Sequence, residues 1–221
     1  KFLPEVFMTL THGVPKLLII AEFTGDSEVE LSDTAIKAQT AIQKQYGLKT
    51  HITKNTAESE KYWTFRHESF NLLREKVKNL HTAPFIDDFI VHPSDLPDFL
   101  PRLNLIFSRY PSLVYTIAGH AGDANFHIIP LMDLSKEKER AIIPTLSQEV
   151  YDLVLEYHGS ITAEHNDGLV RGPYLEQMYG SKIFELFKQV KEIFDPLNIF
   201  NPHKKTDATK QYLTDHIQKE V

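Results

Sequence analysis

Residues 116–132, TIAGHAGDANFHIIPLM, are the stretch that most restricts the fold of this chain. Two apolar segments, SLVYTIAGH and NFHIIPLM, flank the short run AGDA, in which Gly122 and Asp123 favour a tight turn. A turn this short joins antiparallel strands, since parallel strands need a crossover of a dozen or more residues. The sequence therefore predicts a β-hairpin with residues 121–124 as its turn.

This turn also predicts which residues face each other, because His120 then pairs with Asn125 and Ala118 with His127. Paired residues share a face of the sheet. His120 and His127 thus lie on one small polar face, about 7–8 Å apart at the backbone, and the opposite face, which includes Ile128, is predicted to be core. Two imidazoles at that separation can converge on one zinc-type ion at about 2.0–2.1 Å. They can equally be two hydrogen-bonded histidines of a half-exposed hairpin, and spacing alone does not decide.

A third ligand would be supplied by the segment TAEHND, which contains Glu164 and His165 in an irregular, glycine-flanked region. Functional residues often lie on such segments. If the segment is extended, adjacent side chains point in opposite directions, so one could bind a metal while the other faces a substrate. Histidine and carboxylate ligands together suit zinc, iron(II) or manganese.

Strands alternate with helices along the rest of the chain. The predicted strands are KLLIIAEF (16–23), KTHIT (49–53) and FIDDFIVH (85–92), besides the hairpin. Helices are predicted after the N-cap candidates Ser32 and Thr56, across Pro101, over roughly 136–157 and near 181–194. Because the hairpin must be antiparallel, the pattern favours an α+β fold, an antiparallel sheet with flanking helices, over a doubly wound parallel sheet. Neither the G-x-G-x-x-G pattern nor a Walker A motif occurs.

Composition excludes several classes of function. The net charge of −6 gives no electrostatic footprint for a nucleic acid, and the absence of cysteine removes disulfides, thiolate nucleophiles and cysteine-ligated metal. No apolar run reaches the roughly 18 residues of a transmembrane helix. We therefore expect no nucleic-acid partner and no transmembrane segment. A cytoplasmic location is expected, and peripheral attachment to the inner membrane is compatible with it.

Three ordered motifs carry a family resemblance: GHAGDANFH, AEHNDGLVRGPYL and FDPLNIFNPHK. They resemble the C-terminal region of the FAD-linked oxidases of the vanillyl-alcohol-oxidase superfamily, which include D-lactate dehydrogenase, the glycolate oxidase FAD subunit and D-2-hydroxyglutarate dehydrogenase. The family forms are GHxGDGNxH, a Glu-His-Gly-type segment and a closing Asp-Pro-x-x-x-x-Asn-Pro. The resemblance implies that residues 1–221 form a ferredoxin-like cap domain, and that the N-terminal domain carrying most of the FAD-binding surface is absent from this chain.

The resemblance also implies roles for individual residues. His120, His127 and Glu164 correspond to the metal ligands, with zinc expected first and iron or manganese as alternatives, and His165 corresponds to the active-site base. Such a site would oxidise a D-2-hydroxy acid, with hydride transfer to FAD. Asn201, in the closing motif, is expected to contact the cofactor. The electron acceptor is not indicated, and both a homodimer and a partner subunit are compatible with the sequence.

Two arginines are candidates for the substrate carboxylate. Arg66 in YWTFRHESF resembles the arginine of a Trp-x-x-Arg segment of related enzymes, and a guanidinium suits bidentate binding, although a solvated helix arginine explains it equally well. Arg171 in GLVRGPYL ranks below it, because the segment also fits a helix start with a surface arginine. Asn125 is interpreted as a residue that orients the imidazoles.

The chain departs from the family pattern at three places. Ala124 stands where glycine is usual, and Asn166-Asp167-Gly168 replaces the Gly-x-Gly after the Glu-His pair. Ile129 is apolar where some hydroxyglutarate-type relatives place a polar contact, which favours a small acid such as lactate or glycolate. The alternative functions are a metal-dependent hydrolase with the same three ligands and a non-catalytic metal-binding module.

Overall fold

The computed structural model describes residues 17–76, 80–217 and 219. The chain divides into two compact units, with the boundary between Leu73 and Arg74. The first unit contains helix α1 (Glu28–Tyr46) and most of helix α2 (Thr56–Lys76).

Helix α1 begins earlier than the sequence analysis predicts. Its N-cap is Ser27, not Ser32, and the Ser27 side chain accepts a hydrogen bond from Glu30 N at 3.4 Å. Ser27 and Glu30 have the S-x-x-E spacing of a capping box. The helix ends at Gly47, whose φ of 63° is the left-handed conformation expected of a C-cap glycine.

The predicted strands over 16–23 and 49–53 are wrong. Lys16 lies outside the described residues, and residues 17–25 and 47–53 form no helix or strand. Leu17 and Ile19 are 66% and 68% exposed. Within the described ranges, no strand pairs with either segment, and an apolar run becomes a strand only where a neighbouring strand binds its backbone.

The second unit contains a four-stranded antiparallel sheet built around one long strand. The strands are β1 (His81–Thr82), β2 (Ile86–Ile90), β3 (Val114–His120) and β4 (Asn125–Met132). Strand β4 pairs with each of the other three. The predicted hairpin is therefore confirmed, and so is the α+β class with an antiparallel sheet and flanking helices.

Helices cover this sheet and complete its core. They are α3 (Leu96–Ser108), α4 (Glu137–Arg140), α5 (Ile142–Glu156), α6 (Gly168–Arg171), α7 (Leu175–Tyr179), α8 (Ser181–Phe194) and α9 (Lys210–Asp215). Helix α3 runs through Pro101 as predicted, whereas the single helix predicted over 136–157 is the pair α4 and α5. Helices α3 and α5 pack on each other, and α5 packs on β2.

Strand β2 is packed firmly into the core, so it can position the side chains of a site. Ile86 and Phe89 of β2 are fully buried, and Ile128 of β4 is 1% exposed, whereas its cross-strand partner Ile117 is 47% exposed. The predicted core face is thus buried on β4 and half-exposed on β3. None of the helices in the described part of the chain is both long and apolar enough to cross a membrane.

Candidate active site

The hairpin presents its two histidines as the sequence predicts. His120 ends β3, His127 lies in β4, and the register pairs His120 with Asn125 and Ala118 with His127. The ring centroids of the two histidines are 5.8 Å apart. Ala124 ends the turn with φ of 54°, a left-handed conformation that glycine adopts more easily.

Glu164 brings the two imidazoles to a common point. Its Oε1 atom is 3.2 Å from His120 Nε2 and 3.0 Å from His127 Nε2. The side chains of His120 and Glu164 are 45% and 48% exposed, while that of His127 is 12% exposed. One carboxylate oxygen and two ring nitrogens therefore converge at the surface of the second unit.

Asp87 holds His127 from the opposite side of the ring. These residues are cross-strand partners in the β2–β4 pair, and His127 Nδ1 is 2.8 Å from Asp87 Oδ1. The hydrogen bond to Asp87 raises the pKa of His127 above its usual value, although burial opposes this, and the negative charges of Asp87 and Glu164 add to the increase. Both ring nitrogens of His127 thus face carboxylate oxygens, which only accept hydrogen bonds, so this arrangement favours the doubly protonated, charged ring.

His165 joins the same cluster, which corrects one expectation. Glu164 and His165 do not point in opposite directions: His165 Nε2 lies 3.8 Å from Glu164 Oε1, and its Nδ1 lies 3.2 Å from Asp87 Oδ2. The His165 ring stacks on that of His127, with centroids 4.9 Å apart. The alternation rule fails because this segment is bent and not a strand.

The bend is produced by Asp88, a fully buried residue of β2. Its carboxylate accepts hydrogen bonds from the backbone N–H groups of Ala163, Glu164 and His165, at 2.9, 3.1 and 2.9 Å. Asn125 Nδ2 donates to it as well, at 3.3 Å. Burial alone would raise the pKa of Asp88, but the hydrogen bonds from these N–H groups outweigh it and lower the pKa.

A bulge lets two consecutive residues serve different partners. The β2–β4 register shifts between Asp87 and Phe89, and Asp88 between them has φ of 67°. A β-bulge redirects the side chains around it. Asp87 therefore faces the histidine rings while Asp88 faces the loop backbone.

The donor set fits a divalent metal ion. Two imidazole nitrogens and one carboxylate oxygen, from His120, His127 and Glu164, are a common ligand combination for zinc and iron. A second set, Asp88, His127, Glu164 and His165, places one ligand atom each within 4.8 Å of one another and does not include His120. In that second set, however, the oxygens of Asp88 already accept the loop hydrogen bonds, so the first set is the better candidate.

Asp87 and Asp88, beneath the cluster, are not predicted from the sequence, and the interpretations of Arg171 and Asn125 need correction. Arg171 is 5% exposed and donates to the carbonyl oxygens of Asp87 and Asn166 at 2.9 and 2.6 Å, so its interpretation as a surface arginine is wrong. Asn125 binds Asp88 and not the imidazoles. Two aspartates in the otherwise apolar stretch FIDDFIVH are the signal that could have revealed these contacts, because buried carboxylates need donors.

Two predicted residues lie away from this cluster in the chain. Arg66 is on α2 in the first unit, with its guanidinium carbon 5.9 Å from the Trp63 ring centroid. Asn201 is exposed, with φ of 50°, in the loop after α8. Asp195 shapes that loop by accepting from Ile199 N and Phe200 N, both at 2.9 Å. The roles of Arg66 and Asn201 stay predictions.

The chain matches a known protein family over most of its length. A family model described as "FAD linked oxidases, C-terminal domain" matches residues 13–205. The chain belongs to this family. The predicted resemblance is therefore confirmed over most of the chain, including all three motifs.

Several relatives of this FAD-linked oxidase domain have assigned activities. The chain is 27% identical over 188 residues to the D-2-hydroxyglutarate dehydrogenase of Stutzerimonas stutzeri (strain A1501), covering 84% of this chain and 39% of that protein. It is 28% identical over 166 residues to glycolate oxidase subunit GlcD of Bacillus subtilis (strain 168), covering 74% and 35%. It is 28% identical over 186 residues to the mitochondrial D-lactate dehydrogenase [cytochrome] of Arabidopsis thaliana, covering 84% and 32%. The chain thus spans well under half the length of these relatives.

Proposed function

We propose that this chain is the substrate-binding and catalytic part of an FAD-dependent dehydrogenase that oxidises a D-2-hydroxy acid to the 2-oxo acid. The observation that carries the proposal is the convergence of His120 Nε2 and His127 Nε2 on Glu164 Oε1, with His165 beside them. Family membership supports an FAD-linked redox reaction, and the names of the relatives support a 2-hydroxy acid as substrate.

His165 is the proposed base. It takes the substrate hydroxyl proton at Nε2, because its Nδ1 lies against Asp87 Oδ2. The substrate also loses the hydride on its Cα carbon, for which FAD supplies the acceptor when it is bound. Loss of this proton and this hydride converts the alcohol into the ketone of the 2-oxo acid.

His120, His127 and Glu164 are the proposed metal ligands, with zinc first and iron or manganese as alternatives. A divalent cation bound there would lower the pKa of the substrate hydroxyl and help to hold the substrate. Arg66 is proposed to bind the substrate carboxylate, and Asn201 is proposed to contact FAD. These two assignments depend on the family motifs, since neither residue belongs to the histidine cluster.

The proposed substrates are small acids of the lactate and glycolate type. Ile129 does not support this choice, because its side chain is only 6% exposed and is buried in the second unit. D-2-hydroxyglutarate therefore has to be compared with D-lactate and glycolate in the same assay.

The test uses the full-length protein encoded by the gene. We expect a yellow flavoprotein that reduces an artificial electron acceptor with a D-2-hydroxy acid. His165→Ala should lower kcat by about 10²-fold or more, whereas His51→Ala should leave it unchanged, since His51 is a half-exposed histidine bound to Glu58 in the first unit. A full-length protein that binds no flavin would contradict the proposal.

The two alternative functions give different results on the chain itself. A metal-dependent hydrolase would cleave esters or amides without flavin, and chelation would abolish that activity. A module with purely structural histidines would bind as much metal after His127→Ala as before. We expect neither result.

A further inference from the structure

We propose that Arg171 is a positioning residue that fixes the far end of the loop over residues 163–166 and so keeps Glu164 and His165 at the histidine cluster. The proposal rests on the proposed function only in giving those two side chains a metal-binding and a proton-accepting role. Arg171 itself binds neither the metal nor the substrate.

The contacts of Arg171 join strand β2 to the loop. Its Nη1 atom donates to Asp87 O at 2.9 Å, and its Nη2 atom donates to Asn166 O at 2.6 Å. The guanidinium is planar, and its N–H groups have fixed directions. One rigid group therefore sets the separation between the backbone of β2 and the end of the loop.

The loop is held at two points on either side of His165. The N–H group of His165 donates to Asp88 at 2.9 Å, and the carbonyl group of the next residue, Asn166, accepts from Arg171. The His165 carbonyl accepts from Thr162 Oγ1 at 2.8 Å, a contact between neighbours in the chain. The backbone that carries the His165 side chain is therefore fixed to β2 both before and after that residue.

Arg171 also offsets the buried charge of Asp88. Its Nη2 atom lies 3.9 Å from Asp88 Oδ2, and the two side chains are 7% and 0% exposed. Loss of one partner of a buried ion pair leaves an uncompensated charge. Removing the guanidinium would therefore weaken both anchors of the loop, since Asp88 binds the N–H groups of residues 163–165.

The burial of Arg171 suits an anchor and not a substrate-binding residue. A substrate carboxylate needs an accessible guanidinium, whereas Arg171 is 5% exposed and both of its Nη atoms donate to backbone oxygens. The ion pair between Asp167 and Lys205, at 2.9 Å, also reaches this end of the loop. The lysine side chain is 51% exposed, and exposed ion pairs contribute little, so Arg171 is the stronger contact.

The variant that tests the proposal is Arg171→Met, which keeps a long unbranched side chain and removes every N–H donor. Amide hydrogen exchange, followed by NMR on the chain without flavin or metal, reports local opening of the loop. The amides of Ala163, Glu164 and His165 should exchange at least about 10-fold faster in this variant, because their acceptor loses its cation and the loop loses its far anchor.

Two control variants separate this effect from a general loss of stability or charge. Phe184→Ala removes a buried ring of α8 and should speed exchange of core amides such as that of Ile128 without selecting the loop. Arg109→Met removes a guanidinium that is 57% exposed and paired with Glu149, and it should leave the loop amides within about twofold of wild type. A residue that only stabilised the fold would give the pattern of Phe184→Ala.

Zinc titration of the folded chain gives a second readout, which overall stability does not change. Arg171→Met should bind zinc about 10-fold more weakly, because Glu164 is no longer held in place. Phe184→Ala and Arg109→Met should both bind zinc within about twofold of wild type.

The proposal is overturned if the loop amides of Arg171→Met exchange no faster, relative to that of Ile128, than those of Phe184→Ala. It is overturned as well if wild type binds zinc and Arg171→Met binds it equally tightly. A third measurement uses wild type alone and decides whether or not the variant folds: the Nη protons of Arg171 should be restricted by their two hydrogen bonds. Nη protons that rotate and exchange as freely as those of exposed Arg109 in NMR spectra would refute the proposal.

The proposed function can fail separately. A wild-type chain that binds no zinc, or a full-length protein without dehydrogenase activity, would contradict the proposed function alone. Amide exchange and guanidinium NMR need neither zinc nor flavin, so they would still decide the role of Arg171.

Discussion

Asp88 holds the loop over residues 163–165 with a single carboxylate. It is fully buried, yet its pKa is lowered, because three backbone N–H groups of the loop donate to it. A buried carboxylate is tolerated only with such donors. The conformation of the loop therefore depends on the Asp88 carboxylate, and the buried charge of Asp88 depends on the loop N–H groups.

We predict that Asp88→Asn destabilises the second unit by about 3 kcal/mol, because an amide cannot accept from all the loop N–H groups and brings a donor against them. Urea unfolding measures the change. Asp123→Asn, in the exposed turn, should alter the free energy of unfolding by less than about 0.5 kcal/mol. Equal effects of the two variants would show that the hydrogen bonds of Asp88 contribute nothing specific.

The pH dependence follows from the sign of this shift. The folded pKa of Asp88 lies below the ordinary value of 3.8, so its stabilising contribution is complete above that value and is lost as the pH falls through the lower folded pKa. The stabilities of wild type and Asp88→Asn should therefore differ by a constant amount above about pH 4 and converge as the pH falls below that value. Unfolding midpoints on both sides of this value test the prediction, and a gap that widens in acid would contradict it.

At the scale of single residues, the sequence predicted that the two hairpin histidines share a face but not which residues support them. His120 and His127 follow from strand alternation and a short turn, both of which are local rules. Asp87 and Asp88 are adjacent, and only the bulge at Asp88 sends them to different partners. A bulge depends on the pairing of distant strands, so local rules cannot place it.

At the scale of secondary-structure elements, the close approach of the two hairpin strands requires a glycine at position 119. Gly119 has φ of 150°, and a Cβ atom there would lie 2.2 Å from Asn125 O and 3.0 Å from Phe126 Cα. Both are backbone atoms of the partner strand, so the clash cannot be relieved by a side-chain rotation.

We predict that Gly119→Ala destabilises the hairpin by about 3 kcal/mol or more and weakens zinc binding, since His120 is the next residue. Gly122→Ala is the control, because a Cβ atom there would meet nothing within 4 Å. Thermal unfolding compares the two variants. If Gly119→Ala and Gly122→Ala had the same melting temperature, the predicted clash between a Cβ atom at position 119 and the backbone of β4 would be wrong.

Helix α8 provides a second comparison within one element. Phe184 is 7% exposed, whereas Phe194 at the other end is 82% exposed. Phe184→Ala should cost about 3–5 kcal/mol of unfolding free energy, and Phe194→Ala should change it by less than about 0.5 kcal/mol. Chemical denaturation of the two variants tests this, and a large loss for Phe194→Ala would mean that its ring is covered.

Element boundaries were predicted best where caps or turns define them. Helix α8 spans Ser181–Phe194, as the sequence predicts, and the predicted turn over 121–124 joins β3 to β4. By contrast, the sequence pattern favours Ser32 as the N-cap and a strand over 16–23, whereas the structure has its N-cap at Ser27 and no strand over residues 17–23. Hydrophobicity alone does not create a strand, because the neighbour that would bind its backbone is not encoded locally.

For the molecule as a whole, metal binding should stabilise the folded state. At a zinc concentration about 100 times Kd, the expected gain is about 2.7 kcal/mol. Calorimetry of the chain with and without zinc measures it. Glu164→Gln should remove most of the gain, while Glu176→Gln on exposed α7 should keep it. An equal gain in both variants would place the metal elsewhere.

The fold class and the family could be predicted from the sequence. The short hairpin turn indicates an antiparallel sheet, and the three ordered motifs indicate the family. The division of the chain between Leu73 and Arg74 was not predicted. No composition shift or linker marks this position, since it falls inside helix α2.

The hydrogen bonds between Asp88 and the loop determine which substitutions this site can accept. Asp88 binds backbone N–H groups, which every amino acid except proline possesses. The path of residues 163–165 is therefore independent of their side chains. The side chains at positions 164 and 165 could therefore be exchanged, in evolution or by design, while the hydrogen bonds from their backbone N–H groups to Asp88 remain.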